Sequence, residues 1–339
     1  MNKPNIAILG ATGVVGREIT KIVDELNIDF NTIKFLSSAK SAGTIVEFKG
    51  QKYTVEETTP SSFDNIDIVL ASAGGTTSKL YAPEIVKRGG VLIDNSSAFR
   101  MEKDVPLVIA GVNDEDLKQH KGIVANPNCS TSQLMLVLEP LKKYGIKRLI
   151  VSTYQSVSGA GLAAINELRA DTEAYLKKEN FENKCFKKPI SFNIIPQIDV
   201  FCENGYTKEE MKVVNETKKI LHFSDDVKIS CTAARVPVFI GHSEAVDIEF
   251  EKEVSPKEVR ELLQNSYGIE IIDNPENFEY PTTRDAEGVN PVFVGRIRKN
   301  LAFENGISLW CVADNLRIGA ALNTVRICQR IINMKLWGK

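Results

Sequence analysis

Over the first 125 residues, short apolar runs alternate with stretches in which apolar residues recur every three to four positions. Residues 5–9, 33–36, 66–71, 91–93, 107–112 and 123–125 read as strands buried on both faces. Between them, Val15, Ile19, Ile22, Val23 and Leu26 mark one helix, and residues 76–87 form a second. Residues 44–55, turning at Lys49-Gly50-Gln51, read as a hairpin inserted into this rhythm. Strand and helix in alternation predict a mostly parallel, Rossmann-type sheet.

After an amphipathic helix over 130–143, with Leu134, Val137, Leu138 and Leu141 on its apolar stripe, the pattern changes. Longer strands with period-two alternation are expected at 148–157, 192–195, 227–236, 245–250, 292–297 and 307–312. Helices fall at 162–177, at 208–222 behind a Thr207/Glu210 capping box, and at 259–267 behind a Ser255/Glu258 box. A last helix over 319–336, with Leu322, Val325 and Ile331 on one stripe, is expected to return to the first domain. The fold class is therefore α/β: an N-terminal Rossmann-type parallel-sheet domain, plus an α+β domain with a largely antiparallel sheet. The expected boundaries are 1–128, completed by helix 316–339, and 129–315.

The 339-residue length suits two domains, and 43% hydrophobic with 25% charged residues is ordinary for a globular chain. A net charge of −2 with scattered Lys and Arg gives no basic face, so no nucleic acid is expected as a partner. No run of about eighteen apolar residues occurs, and residues 1–5 carry no charged-then-apolar leader. The expectation is a cytoplasmic protein without a membrane partner. Six cysteines without a CxxC pair or a neighbouring histidine predict neither a metal site nor disulfides.

Chemistry concentrates at strand ends. Gly10, Gly13 and Gly16 follow the first strand and open the first helix, a spacing that lets a pyrophosphate approach the helix N-terminus. The second strand ends in Ser37-Ser38-Ala39-Lys40-Ser41, with no acidic residue for a ribose 2′-hydroxyl. A lysine flanked by hydroxyls suits a 2′-phosphate, which favours NADP(H) over NAD(H). Small residues 72–75 make another loop at the carboxyl edge of the sheet. Arg100, beside Ser96 and Ser97, reads either as an anion clamp or as a solvated surface arginine.

Cys129 follows Asn126-Pro127-Asn128 at the start of helix 130–143, where the helix dipole and unpaired amides lower a thiol's pKa. The plainer alternative is a small buried cysteine. Gln155 ends a strand that runs into the glycine-rich turn 156–161. Arg235 and His242 flank a turn through Pro237 and Gly241, and a hairpin would bring them together as a cation and a base of near-neutral pKa. Taken alone, His242 reads as a structural histidine, and Glu209 with Lys212 as a solvated pair three apart on a helix.

Residues 126–131, 154–161, 95–100 and 10–16, with the order Glu209, Lys212, Arg235, His242, together resemble the aspartate-β-semialdehyde dehydrogenase family over nearly the whole chain. The resemblance implies an NADP-binding first domain, and a second domain that is catalytic and dimerising. It implies that Cys129 is an acyl-thioester nucleophile, His242 an acid/base and Gln155 a third catalytic residue. Arg100 and Lys212 would bind phosphate, and Asn128, Glu209 and Arg235 would hold the amino-acid substrate, Arg235 on its α-carboxylate. Gly10, Thr12, Gly13, Val14, Val15, Lys40, Ser41, Ser158, Gly159 and Asn315 would contact NADP(H). The implied reaction is NADPH-dependent reductive dephosphorylation of L-4-aspartyl phosphate to L-aspartate 4-semialdehyde, releasing inorganic phosphate. It would serve lysine, threonine, methionine and diaminopimelate biosynthesis in a homodimer. Lys40 stands where many relatives carry arginine, exchanging a planar fork for a point charge. The rival readings are another phosphorylating aldehyde dehydrogenase, of the glyceraldehyde-3-phosphate or N-acetylglutamyl-phosphate reductase type, and a cofactor-sensing module without chemistry.

Overall fold

The computed structural model describes residues 3–338; Met1, Asn2 and Lys339, which the expected first domain and its last helix include, lie outside the described residues. The chain forms two compact units, residues 3–128 with 320–338, and residues 129–319.

In the first unit β1 (Ile6–Leu9) leads to α1 (Val14–Glu25) and β2 (Ile33–Ser37). A hairpin of β3 (Ile45–Phe48) and β4 (Gln51–Thr54) follows, then β5 (Glu56–Glu57), β6 (Ile68–Ala71), α2 (Gly75–Lys87), β7 (Val91–Asp94) and β8 (Ile123–Ala125). Six strands form a wholly parallel sheet in the order β5-β2-β1-β6-β7-β8, which is the doubly wound order of a dinucleotide fold. Every residue of β1, β6 and β7 is buried, as continuous apolar runs covered on both faces require. Gly16 is obligatory in the first turn of α1: a Cβ there would lie 2.1 Å from the carbonyl oxygen of Gly10.

Residues 107–112 do not form the expected strand. Only Leu107 bridges to β8, Val108 N–H still donates to Ala125 O, and beyond it side chains take several of the buried backbone groups. Asn113 Oδ1 accepts from Ile109 N–H while its Nδ2 donates to Leu107 O, and Asn323 does the same for Ala110 N–H and Val108 O. Two asparagines thus replace a neighbouring strand. Asn323 lies on the last helix, Leu322–Asn333, which starts later than expected because a π-helical turn, Arg317–Ala321, precedes it, and which ends before Lys335, whose φ is +55°.

In the second unit α3 (Cys129–Leu141) is followed by β9 (Ile146–Gln155), α4 (Leu162–Lys177), α5 (Lys208–Leu221), β10 (Lys228–Arg235) and β11 (His242–Phe250). Then come α6 (Pro256–Gln264), β12 (Ile269–Ile271), α7 (Thr283–Ala286), β13 (Val292–Lys299) and β14 (Gly306–Ala313). The sheet order is β10-β9-β11-β14-β13-β12, antiparallel in the centre with a parallel pair at each edge. This order removes the expected Arg235/His242 hairpin, because β9 lies between β10 and β11. Helix α3 is buried on every side from Ser130 to Leu138, rather than amphipathic, since α5 and α6 pack on it as well as the sheet. The opposite sheet face keeps Ile150, Tyr154 and Trp310 partly exposed.

Residues 192–195 also fail to form a strand: Phe192 has φ of +52°, and Ile195 alone bridges to Arg235. The segment before it is held by α4 through the main chain. Glu167 accepts from the amides of Lys184, Cys185 and Phe186, and Asp171 from those of Ile190 and Ser191. Burial would raise the Glu167 carboxyl, but the three amides outweigh it and hold it below the usual carboxylate range. Among the described residues no helix is long and apolar enough to cross a membrane.

Candidate active site

Cys129 is the first residue of α3, and its partly exposed Sγ lies 3.3 Å from His242 Nε2. The helix N-terminus supplies amides and the positive dipole end at the sulfur. His242 opens β11 and is fully buried. Its other nitrogen, Nδ1, accepts the backbone N–H of Ser156 at 3.1 Å, with Ser156 Oγ also 3.1 Å away. A backbone amide only donates, so Nδ1 carries no proton and the neutral ring places its proton on Nε2, facing sulfur. Burial, and then the charge of Arg235, push His242 down to about 3. The base of near-neutral pKa expected from the sequence is therefore corrected to a neutral imidazole that donates toward Cys129.

Around this pair β9, β10 and α5 supply the polar groups. Gln155, at the end of β9, donates to Ser130 Oγ at 2.7 Å and to Glu209 Oε1 at 3.3 Å. Arg235 pairs in register with Gln155 on the neighbouring strand and donates Nη1 to Ser156 O at 2.7 Å. Both are buried, as is Glu209. Glu209 and Lys212 are no solvated pair: Lys212 Nζ sits 2.9 Å from Glu209 and 3.0 Å from Asp199. Burial pulls the Lys212 ammonium down, but the two carboxylates outweigh it and hold it above its ordinary range.

Gly159 forms a wall of the same site. A Cβ on it would stand 3.0 Å from Arg235 Nη1 and 3.3 Å from His242 Nε2. Asn315 is buried, and its Oδ1 accepts from Gly241 N–H and Ser156 Oγ while Nδ2 donates to Ser158 Oγ. It therefore stands behind the Ser156 turn as a brace, with Ser158 attached.

The remaining expected residues belong to the first unit. Gly10 to Gly13 form the turn into α1, with Gly13 as N-cap and Val14 and Val15 as the first helical residues, and Thr12 Oγ1 bonds Ser37 Oγ at 2.9 Å. Thr12 and Ser41, with Arg17, line a cavity of about 690 Å³, and Lys40 is exposed nearby in sequence. Arg100 is buried rather than solvated, donating Nε to Asn126 O and Nη2 to Asn95 O. Asn128, also buried, immediately precedes Cys129.

Sequence reasoning missed Ser156, Asp199 and Gly319. Ser156 acts partly through its backbone amide, which no residue pattern announces. Asp199 has φ of +68° in a loop and carries no local motif. Gly319 belongs to the π-helical turn, and a Cβ on it would lie 2.6 Å from Cys129 Cβ. A glycine at an expected helix start was its only available signal.

Two family descriptions match the chain: "Semialdehyde dehydrogenase, NAD binding domain" over residues 5–120 and "Semialdehyde dehydrogenase, dimerisation domain" over residues 138–318. Aspartate-semialdehyde dehydrogenase of Aquifex aeolicus is 52% identical, covering 96% of this chain and 97% of its own. That of Bacillus subtilis is 49% identical over 98% of each. The crystal structure of aspartate semialdehyde dehydrogenase II from Vibrio cholerae complexed with ASA aligns with a TM-score of 0.95 at 41% identity, covering 98% of this chain and 99% of that one.

Proposed function

The chain belongs to the semialdehyde dehydrogenase family, and from that premise we propose that it interconverts L-4-aspartyl phosphate and L-aspartate 4-semialdehyde through a thioester on Cys129. The observation that carries the reading is the 3.3 Å approach of Cys129 Sγ to a buried imidazole. That the same unit holds Gln155, Glu209 and Arg235 together supports an amino-acid substrate. The Cys129 thiolate attacks the acyl phosphate carbonyl, phosphate departs, and the C–O bond is exchanged for C–S. NADPH, held at the first-unit turn, would supply hydride for the thioester carbonyl, and Cys129 would leave as thiolate as the aldehyde forms. One proton from water is consumed overall, on the departing phosphate.

His242 holds its proton at Nε2 and steadies the sulfur anion before attack and after expulsion. Arg235, oriented by Ser156 O, receives the substrate α-carboxylate in a planar fork. Glu209 takes the α-ammonium, while Lys212 and Arg100 take phosphate. Asn128 adds a substrate contact and Gln155 holds the reacting carbonyl. The first-unit turn fits a dinucleotide: glycine is forced at Gly16, the α1 N-terminus has no side-chain cap at Gly13, and hydroxyls of Thr12 and Ser41 line the adjoining cavity. Lys40 and Ser41 select NADP(H). The uncovered face of the mixed sheet, with Tyr154, Ala245, Leu309 and Trp310 around a cavity of about 640 Å³, receives a second copy of the chain, in keeping with the matched dimerisation domain. The protein works in the cytoplasm, in synthesis of lysine, threonine, methionine and diaminopimelate. The relatives lend no support to the N-acetylglutamyl-phosphate reductase alternative.

The test is NADP reduction by aspartate semialdehyde with and without inorganic phosphate. Phosphate-dependent reduction that disappears in Cys129→Ser is the expected result. Reduction that needs no phosphate, or survives that substitution, would overturn the thioester route.

A further inference from the structure

Behind Cys129 and His242 lie three fully buried side chains that the proposed chemistry does not use: Gln133, Glu244 and Cys311. Gln133 is one helical turn after Cys129 on α3, and Glu244 two residues after His242 on the same side of β11, directly opposite Cys311 of β14. Gln133 Nε2 donates to His242 O at 3.3 Å and reaches Cys311 Sγ at 3.9 Å, and Cys311 Sγ donates to Glu244 Oε2 at 3.4 Å. Two acceptors in this cluster, Glu244 Oε1 and Gln133 Oε1, have no donor. A carboxylate at this depth without a cation is costly, and two orphan acceptors double the penalty. One proton on Glu244 answers both.

We propose that Glu244 is kept as a neutral carboxylic acid whose proton, shared with Gln133, ties α3 to β11 and so sets the distance between Cys129 and His242. Glu244 is then a positioning residue, on the reading that these two are the reacting pair. Burial raises its carboxyl to about 8, and the bonds from Cys311 and Gln133 oppose this only in part. Among the described residues no cation acts on its carboxyl. The titratable groups facing it are the Cys311 thiol on β14 and the Cys231 thiol on β10, both pushed up by burial, with Glu209 and Glu210 of α5 beyond Cys231. On its own strand is His242, held neutral, and on α3 is Cys129. Loss of the proton leaves a buried anion among thiols and carboxylates, and the link between α3 and β11 opens.

The experiment is an infrared pH titration of the full-length protein, paired with the rate at which iodoacetamide alkylates Cys129, read by peptide mass spectrometry. Neither readout requires turnover, so a failed substrate assay would leave them intact. Wild type should show a protonated-carboxyl band that vanishes above neutral pH and is missing from Glu244→Gln, but persists in Cys129→Ser. Cys129 alkylation should fall about tenfold as that band disappears, whereas Glu244→Gln, whose amide can still donate to Gln133, should stay within about threefold of the neutral wild-type rate throughout. Gln133→Leu, which removes the partner, should lower the rate already at neutral pH. A band that titrates in the ordinary carboxylate range, or an alkaline fall in alkylation that Glu244→Gln retains, would overturn the proposal.

Discussion

Replacing Gly319 with alanine tests how tightly Cys129 is confined. The added Cβ would lie 2.6 Å from Cys129 Cβ and 2.8 Å from its Cα, both short of the ~3.5–4.0 Å at which carbon atoms rest. Both neighbours are part of, or one bond from, the backbone of α3, so no flexible tip can swing aside. The gap must open by about 1 Å, a displacement that in reactive geometry costs on the order of a hundredfold in rate, or about 2.7 kcal/mol of transition-state stabilisation. Overpacking of this kind also costs about 1–3 kcal/mol of stability. The expected outcome is a kcat roughly two orders of magnitude lower and slower alkylation of Cys129. NADP affinity should be unchanged, and melting should occur a few degrees lower. A variant with normal turnover and normal thiol reactivity would show that the turn at Gly319 does not constrain the sulfur.

Three further outcomes follow from described geometry. His242 should give ¹⁵N shifts of the Nε2–H tautomer from pH 5 to 9; because its folded pKa of about 3 lies below the ordinary 6.5, its contribution to stability is lost as pH falls through that interval. Imidazolium signals appearing near pH 6.5 would contradict this. Lys40→Ala should weaken NADP binding about tenfold and leave NAD binding unchanged, read by fluorescence titration; equal losses for both would remove the 2′-phosphate role. Glu167→Gln should accelerate hydrogen exchange at Lys184, Cys185 and Phe186. In wild type the same amides should loosen on acidification through the lowered Glu167 range, since a depressed carboxylate loses its stabilising effect as pH falls.

The parallel sheet was legible because each strand is a continuous apolar run followed by a helix, and that signal is local. Capping boxes at Thr207 and Ser255 were equally local, and both form. The errors share one cause, which is that partners distant in sequence decided the outcome. Residues 107–112 are apolar enough for a strand, but Asn113 and Asn323 take their backbone groups. Arg235 and His242 look like hairpin neighbours, yet β9 separates their strands. The residues that gather around Cys129 could be named from local motifs, while the protonation of His242 could not, because it depends on an amide 86 residues away.

The two acids of α4 hold residues 184–191 by five main-chain amides, and only Ile190 and Phe186 add apolar anchorage, so elsewhere the path of that segment owes little to which side chains it carries. Composition is free to drift at the exposed positions 184, 185 and 187–189, provided proline is kept from the five donor positions. The helix, by contrast, can exchange neither carboxylate without setting the whole stretch adrift.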